Sequence, residues 1–156
     1  MQIFFPTIVL RHRKENLKKC SLSGLEERSD FAFLTYPLDL DSFPNLSSYV
    51  VLDLSGAELT KEDGNHGLFL IDATWRYAKK IRDNIALPSK ALLRSIPSSF
   101  RTAYPRKQED CSDQERGLAS IEAVYIAYRI MGKDVKGLLE GYYWKEKFLE
   151  KNRGVW

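Results

Sequence analysis

Histidine and cysteine are nearly missing from this 156-residue chain: His12, His66, Cys20 and Cys111 are the full set, and no two cysteines share a Cys-x-x-Cys spacing. A four-ligand zinc centre would need all four to converge from distant positions, so no metal is expected. Two widely separated cysteines also make a reducing, cytoplasmic setting the default. No apolar run reaches the roughly 18 to 20 residues of a membrane span, and the N-terminal apolar stretch precedes its charges, the reverse of a secretory signal. No membrane partner is expected. The turn Asp53-Leu54-Ser55-Gly56 lacks the Gly-x-Gly that lets a backbone approach a nucleotide, which discounts it as the first motif of a Rossmann-type methyltransferase. Net charge is only +3, so a polyanionic partner has to be argued from local clusters and not from the total.

What is present suits one globular unit. Hydrophobic residues at 44% and aromatic residues at 12% can bury enough surface to offset chain entropy, with 29% charged residues on the outside. No repeat, linker or low-complexity segment divides the chain. We expect an α/β fold over residues 1–156, with a sheet-rich half at 1–74 and a mostly helical half at 75–156 sharing one interface.

The first strand is expected at residues 3–10, tolerating Pro6 near its start, the second at 31–36 and the third at 49–54. The third is continuously apolar, which favours burial on both faces and a parallel arrangement. The fourth begins at Gly67 and ends in Asp72-Ala73-Thr74-Trp75, beyond which spacing turns helical. An apolar strand that ends in a carboxylate and passes into a helix marks the edge where α/β proteins place ligands. In that helix Arg76, Lys79 and Lys80 share one face. This face suits either a phosphate grip or plain solvated surface, and the same two readings hold for the charged loop at 11–19. Residues 91–96 form a short apolar piece, residues 100–104 are read as a fifth strand, and residues 106–116 as a loop without periodicity. Ser120 is placed as the cap of a helix with an inward stripe of Ile121, Val124, Tyr125, Tyr128 and Met131, stopped at Gly132. A second helical stripe is expected from Val135 through Tyr142 to Leu149, and its aromatic residues are expected mainly in the core.

Six pieces then occur in an order that carries a resemblance. They are Lys18-Lys19-Cys20-Ser21, Leu34-Thr35-Tyr36-Pro37, Asp72-Ala73-Thr74-Trp75, Thr102-Ala103-Tyr104-Pro105, Leu118-Ala119-Ser120-Ile121-Glu122-Ala123, and Tyr143-Trp144 with Phe148, Leu149 and Asn152. Spread over nearly the whole chain, they make it resemble the superfamily that joins small-subunit rRNA aminocarboxypropyltransferases with the DTW-domain tRNA aminocarboxypropyltransferases. The tail and the Lys-Lys-Cys-Ser piece look more like the rRNA branch. The N-terminal cysteine cluster of many tRNA-branch members is missing.

The resemblance implies a SPOUT-like fold, with a trefoil-knotted backbone as one option, and S-adenosylmethionine as co-substrate without a metal. It implies transfer of the 3-amino-3-carboxypropyl group to N3 of a uridine or modified pseudouridine in RNA, rRNA before tRNA, by a monomer. Two other readings stay open: a non-catalytic RNA-binding or ribosome-assembly module of the same fold, and an ordinary SPOUT methyltransferase. By resemblance, Trp75 covers the donor's methyl group and contacts its sulfonium, while Asp72 orients the donor or accepts the N3 proton. Ser21 and Ser23 would contact ribose and the amino acid tail. Leu34, Pro37, Leu93 and Ile96 would line the adenine pocket, with Tyr104, Ser120 and Ala123 beside it. The RNA phosphates would fall to Arg11, Arg13, Lys14, Lys18 and Lys19, to Arg76, Lys79 and Lys80 on the helix, and to Arg101, Arg106 and Lys107 further on.

Overall fold

The computed structural model describes residues 5–13, 21–38, 43–85, 87–88, 91–105 and 117–156, without the side chains of Trp75 and Arg76. The expected loop at 106–116 lies outside the described residues, as do Cys20 and Cys111.

Five strands, β1 (Thr7–His12), β2 (Phe31–Tyr36), β3 (Tyr49–Glu58), β4 (Gly67–Asp72) and β5 (Leu92–Ser95), form one sheet in the order β2-β1-β4-β3-β5, and every described pairing is parallel. The α-helices among the described residues are α1 (Trp75–Asn84), α2 (Ser120–Met131) and α3 (Lys145–Lys151), and none is long and apolar enough to cross a membrane. The α/β class with a parallel sheet is therefore as expected.

Alternation along the central strands sends side chains into two separate cores. Val9 of β1 and Leu68 and Leu70 of β4 join Ile121, Val124 and Tyr128 of α2. Ile8 and Leu10 of β1 and Phe69 of β4 join Ile81 of α1. Because β1 and β4 are covered on both sides, their middle stretches, residues 8–10 and 68–71, are continuously apolar. Each fully buried side chain of this kind contributes about 1.5–3 kcal/mol.

Four expectations need correction. The fifth strand is Leu92–Ser95 and not residues 100–104. β3, longer than expected, offers β5 two pairing stretches on either side of an irregularity between Leu52 and Ala57. Gly56 permits that approach: a Cβ there would stand 2.3 Å from the Leu93 carbonyl carbon. The backbone of the 100–104 segment is satisfied by side chains instead, with Arg101 N and O bonded to the amide of Asn152 at 2.7 and 2.9 Å. The last third is also less helical than its periodicity suggested, since residues 133–144 run as turns before α3 begins. Finally, β1 starts at Thr7, after Pro6. The stop at Gly132 is as read, at φ 74°, a left-handed conformation that glycine adopts without strain.

Candidate functional site

β1 has β2 on one side and β4 on the other, while the chain reaches β4 only after forming β3. Successive connections thus run in opposite directions from β1, and in parallel sheets such a switch point opens a crevice at the carboxyl ends of the strands. Asp72 closes β4 at that place, in register with Arg11 of β1.

Asp72 is 4% exposed and its two oxygens bind two different elements. Arg11 donates from Nε to Oδ2 at 3.3 Å, and the Ser120 hydroxyl donates to Oδ1 at 2.8 Å. Arg11 also reaches Glu26 Oε1 at 3.2 Å and lies with its guanidinium 4.6 Å from the centroid of the Phe33 ring. Glu26 in turn accepts from Gly24 N at 2.8 Å. Burial pushes the Glu26 carboxyl upward, but the backbone amides of Glu26 and Gly24 and the Arg11 guanidinium outweigh it and hold it below the usual range. Ser21 accepts at 3.2 Å from the amide of Ile121, so the loop after β1 is tied to the first turn of α2. β1, β4, the 21–26 segment and α2 therefore meet around one carboxylate.

Ser120 is not the cap of α2. Ala119 takes that position, and its amide donates to Glu122 Oε1 at 2.8 Å. Glu122 is fully buried and also accepts from Thr102 Oγ1 at 2.6 Å, Ala103 N at 2.8 Å and the Tyr142 hydroxyl at 3.0 Å. Glu122 had no role in the sequence reading. Its signal was the acid at the third helical position, which reaches back to the helix start. By fixing the first turn of α2, Glu122 sets where Ser120 meets Asp72.

The other predicted positions divide between the two sides of the sheet. Leu34 of β2 and Leu93 of β5 pack with the α1-side core, while Ile96 and Tyr104 pack with the α2-side core. Pro37 follows β2 through a cis peptide bond and is exposed, Ser23 is exposed and Ala123 is half-buried. Direct side-chain contact among the predicted site residues joins Asp72 to Arg11 and Ser120, with Ser21 tied in through Ile121. Trp75 is the first residue of α1, two residues beyond Ala73.

Of the predicted phosphate contacts, Arg11 is 7% exposed and faces carboxylates. Arg101 is half-buried and donates to the carbonyls of Ser98 and Phe100. Arg13, Lys79 and Lys80 are exposed. Lys14, Lys18, Lys19, Arg106 and Lys107 lie outside the described residues, as does the side chain of Arg76. Among the described residues no group of three His, Cys, Asp or Glu side chains could hold a metal ion.

No protein-family model matches the chain, and no curated protein does. Among solved structures it is similar to the SAM-dependent rRNA:acp-transferase Tsr3 from Vulcanisaeta distributa, with a TM-score of 0.73 and 22% identity over 96% of this chain and 80% of that one. At this identity the likeness establishes a shared fold.

Proposed function

We propose that this protein is an S-adenosylmethionine-dependent RNA aminocarboxypropyltransferase that acts on rRNA, at N3 of a uridine or modified pseudouridine. One observation carries the reading: a buried carboxylate, Asp72, stands at the switch point of the sheet and is gripped from β1 by Arg11 and from α2 by Ser120. The fold it sits in is shared with a structure described as an rRNA acp-transferase. The SPOUT-like class and a knotted path belong to the same proposal, supported by the insertion of β4 between β1 and β3. So do a cytoplasmic monomer and a pre-ribosomal substrate.

The donor set fits S-adenosylmethionine. Asp72 stands at the strand end within the same side-chain network as Arg11 and Ser120, a place from which a carboxylate can orient an N–H or O–H of the donor. Leu34, half-buried near the end of β2 on the α1 side, suits a flat apolar base, whereas Leu93 lies on β5 at the opposite edge of the sheet. When bound, the donor supplies a sulfonium whose aminocarboxypropyl carbon is open to displacement by N3, with the electron pair of the broken bond going to sulfur and the N3 proton to solvent water. The protein's part is to hold that carbon toward the RNA and shield the methyl group, which is catalysis by orientation. Trp75, opening α1 three positions beyond the strand end, is assigned the shielding. Asp72 is assigned positioning in preference to proton transfer, because both of its oxygens already hold donors from other elements.

The test uses donor carrying one label in the methyl group and another in the aminocarboxypropyl group, incubated with protein and RNA. Aminocarboxypropyl label in RNA is the expected result. Methyl label would convert the reading to a methyltransferase, and donor affinity without transfer would leave a binding module. Calorimetry showing no donor affinity in the intact protein would remove the proposal altogether.

A further inference from the structure

Beyond the donor site, the strand ends on the α1 side carry rings and cations that the transfer chemistry does not use. His12, the last residue of β1, stacks on Tyr77 of α1 with centroids 4.1 Å apart and an interplanar angle of 18°. Tyr36, the last residue of β2 and in register with His12, lies 6.2 Å from it at a 33° tilt. All three are half-buried. Arg13 donates its amide to Tyr36 O at 2.9 Å and is exposed, so a cation follows directly on this row of rings. On α1, Lys80 stands one turn from Tyr77, beside Lys79, and both are exposed. The acid of the helix, Asp83, is a further turn away.

We infer that Tyr36, His12 and Tyr77 form a ledge on which a base of single-stranded RNA stacks, with Arg13 and Lys80 taking the phosphates on either side. The inference rests on the proposed action on RNA and goes beyond it by naming where an unpaired nucleotide lies. Unpaired bases are held by stacking on aromatic faces while cations follow the backbone, and this patch offers both at the carboxyl edge of a parallel sheet, where ligands enter. Its composition argues against a protein partner, whose interface would be centred on a desolvated apolar cluster with few charges. The rings in the core make the contrast: Phe31 and Tyr128 also stack, at 5.9 Å, yet both are buried.

Tyr77→Leu and Tyr77→Phe separate stacking from packing. Leucine fills the space without offering a ring, phenylalanine keeps the ring, and equal melting temperatures establish that both variants are folded. Affinity is measured for a short single-stranded oligouridylate and for an RNA duplex of equal length, across a salt series and without donor. Tyr77→Leu is expected to weaken single-strand binding by about tenfold, the scale of one lost stacked base, and Tyr77→Phe by no more than about twofold. The salt slope should be unchanged in both, whereas Lys80→Ala or Arg13→Ala should lower it by about one. Unchanged single-strand affinity in Tyr77→Leu would overturn the ledge, as would an equal loss on duplex RNA or a lowered salt slope in that variant. Absent oligouridylate binding by the intact protein would overturn it too. Failure of the transferase reading appears elsewhere, as lack of donor affinity or label transfer, and leaves these RNA measurements standing.

Discussion

The two sides of the sheet solve different problems. On the α2 side, polar groups go inside and are satisfied there: Glu122 takes four donors, Asp72 binds Arg11 and Ser120, and Tyr128 meets Thr7 at 2.5 Å and Asp30 at 3.4 Å. On the α1 side the buried residues are apolar, and the polar groups sit at the surface, where Arg82 meets Asp53 and Lys79 and Lys80 face solvent. A fully satisfied buried network fixes one arrangement because any member left alone is costly, whereas exposed charges tolerate rearrangement. The α2 side should therefore be rigid and intolerant of substitution, the α1 side tolerant and free to meet a partner.

The largest break in that contrast is Glu122→Ala. It takes the acceptor away from two backbone amides and two hydroxyls, and a buried donor that loses its acceptor costs about 1–3 kcal/mol. A loss of about 4 kcal/mol or more is expected, which for a chain of this size lowers the melting temperature by about 10 °C. Melting within about 3 °C of the parent would mean that water reaches the site and that the side is not rigid. Asp72→Ala comes next. It removes the carboxylate facing the buried Arg11 while Glu26 remains, so about 3 kcal/mol is expected, together with loss of donor affinity in calorimetry. Asp72→Asn, which still accepts from Ser120, should recover part of the stability and little of the affinity. Tyr128→Phe removes one hydroxyl bonded to Thr7 and Asp30, for about 1.5 kcal/mol by denaturant titration.

Acid separates the sides less. Burial raises the Asp30 carboxyl, but hydrogen bonding and charge from Arg28 outweigh it, and its value in the fold is lowered. Asp53 is also lowered against burial, first by the hydroxyl and amide of Ser55 and then by Arg82. A carboxyl lowered by folding contributes stability that is present above its unfolded value and lost as pH falls through the folded one. Melting temperature should therefore drop below about pH 4. Asp30→Asn and Asp53→Asn should each flatten that fall. A drop of equal slope in the double variant would assign acid sensitivity to other groups.

How far the sequence carried this reading depends on whether a signal was local. The strand-end carboxylate was legible because an apolar run, Gly67–Asp72, stops on it and helical spacing follows. Gly132 was legible for the same reason. Arg11 read as a surface cation because it opens a basic loop; its partner Asp72 is 61 positions away and becomes visible only once β1 and β4 pair. Ser120 looked like a cap because serine precedes an apolar stripe, yet its hydroxyl is used 48 positions away in sequence and Glu122 serves the helix start instead. The missed fifth strand has the same cause. Residues 100–104 have strand composition, but Glu122 and Asn152 supply their hydrogen bonds, while β3 supplies an edge for Leu92–Ser95. Tertiary partners overrode propensity wherever buried side chains could take the place of a neighbouring strand.

The smallest expected effect is the sharpest check on the tolerant side. Arg82 Nε lies 2.8 Å from Asp53 Oδ2, a pair whose side chains are 32% and 17% exposed and which ties α1 to β3. By distance alone it resembles the Arg11–Asp72 pair, at 3.3 Å with side chains 8% and 6% exposed. Distance is not what decides. Asp53 keeps the amide and hydroxyl of Ser55, at 2.9 and 2.6 Å, after Arg82 is gone, and solvent screens the charge that remains. Arg82→Ala should therefore cost about 0.5 kcal/mol, with the cost shrinking further as salt is added. Denaturant titration at low and high salt measures both. A loss near that of Asp72→Ala, unchanged by salt, would show that the α1 side is also held by a dry ion pair, and the contrast between the two sides would fail.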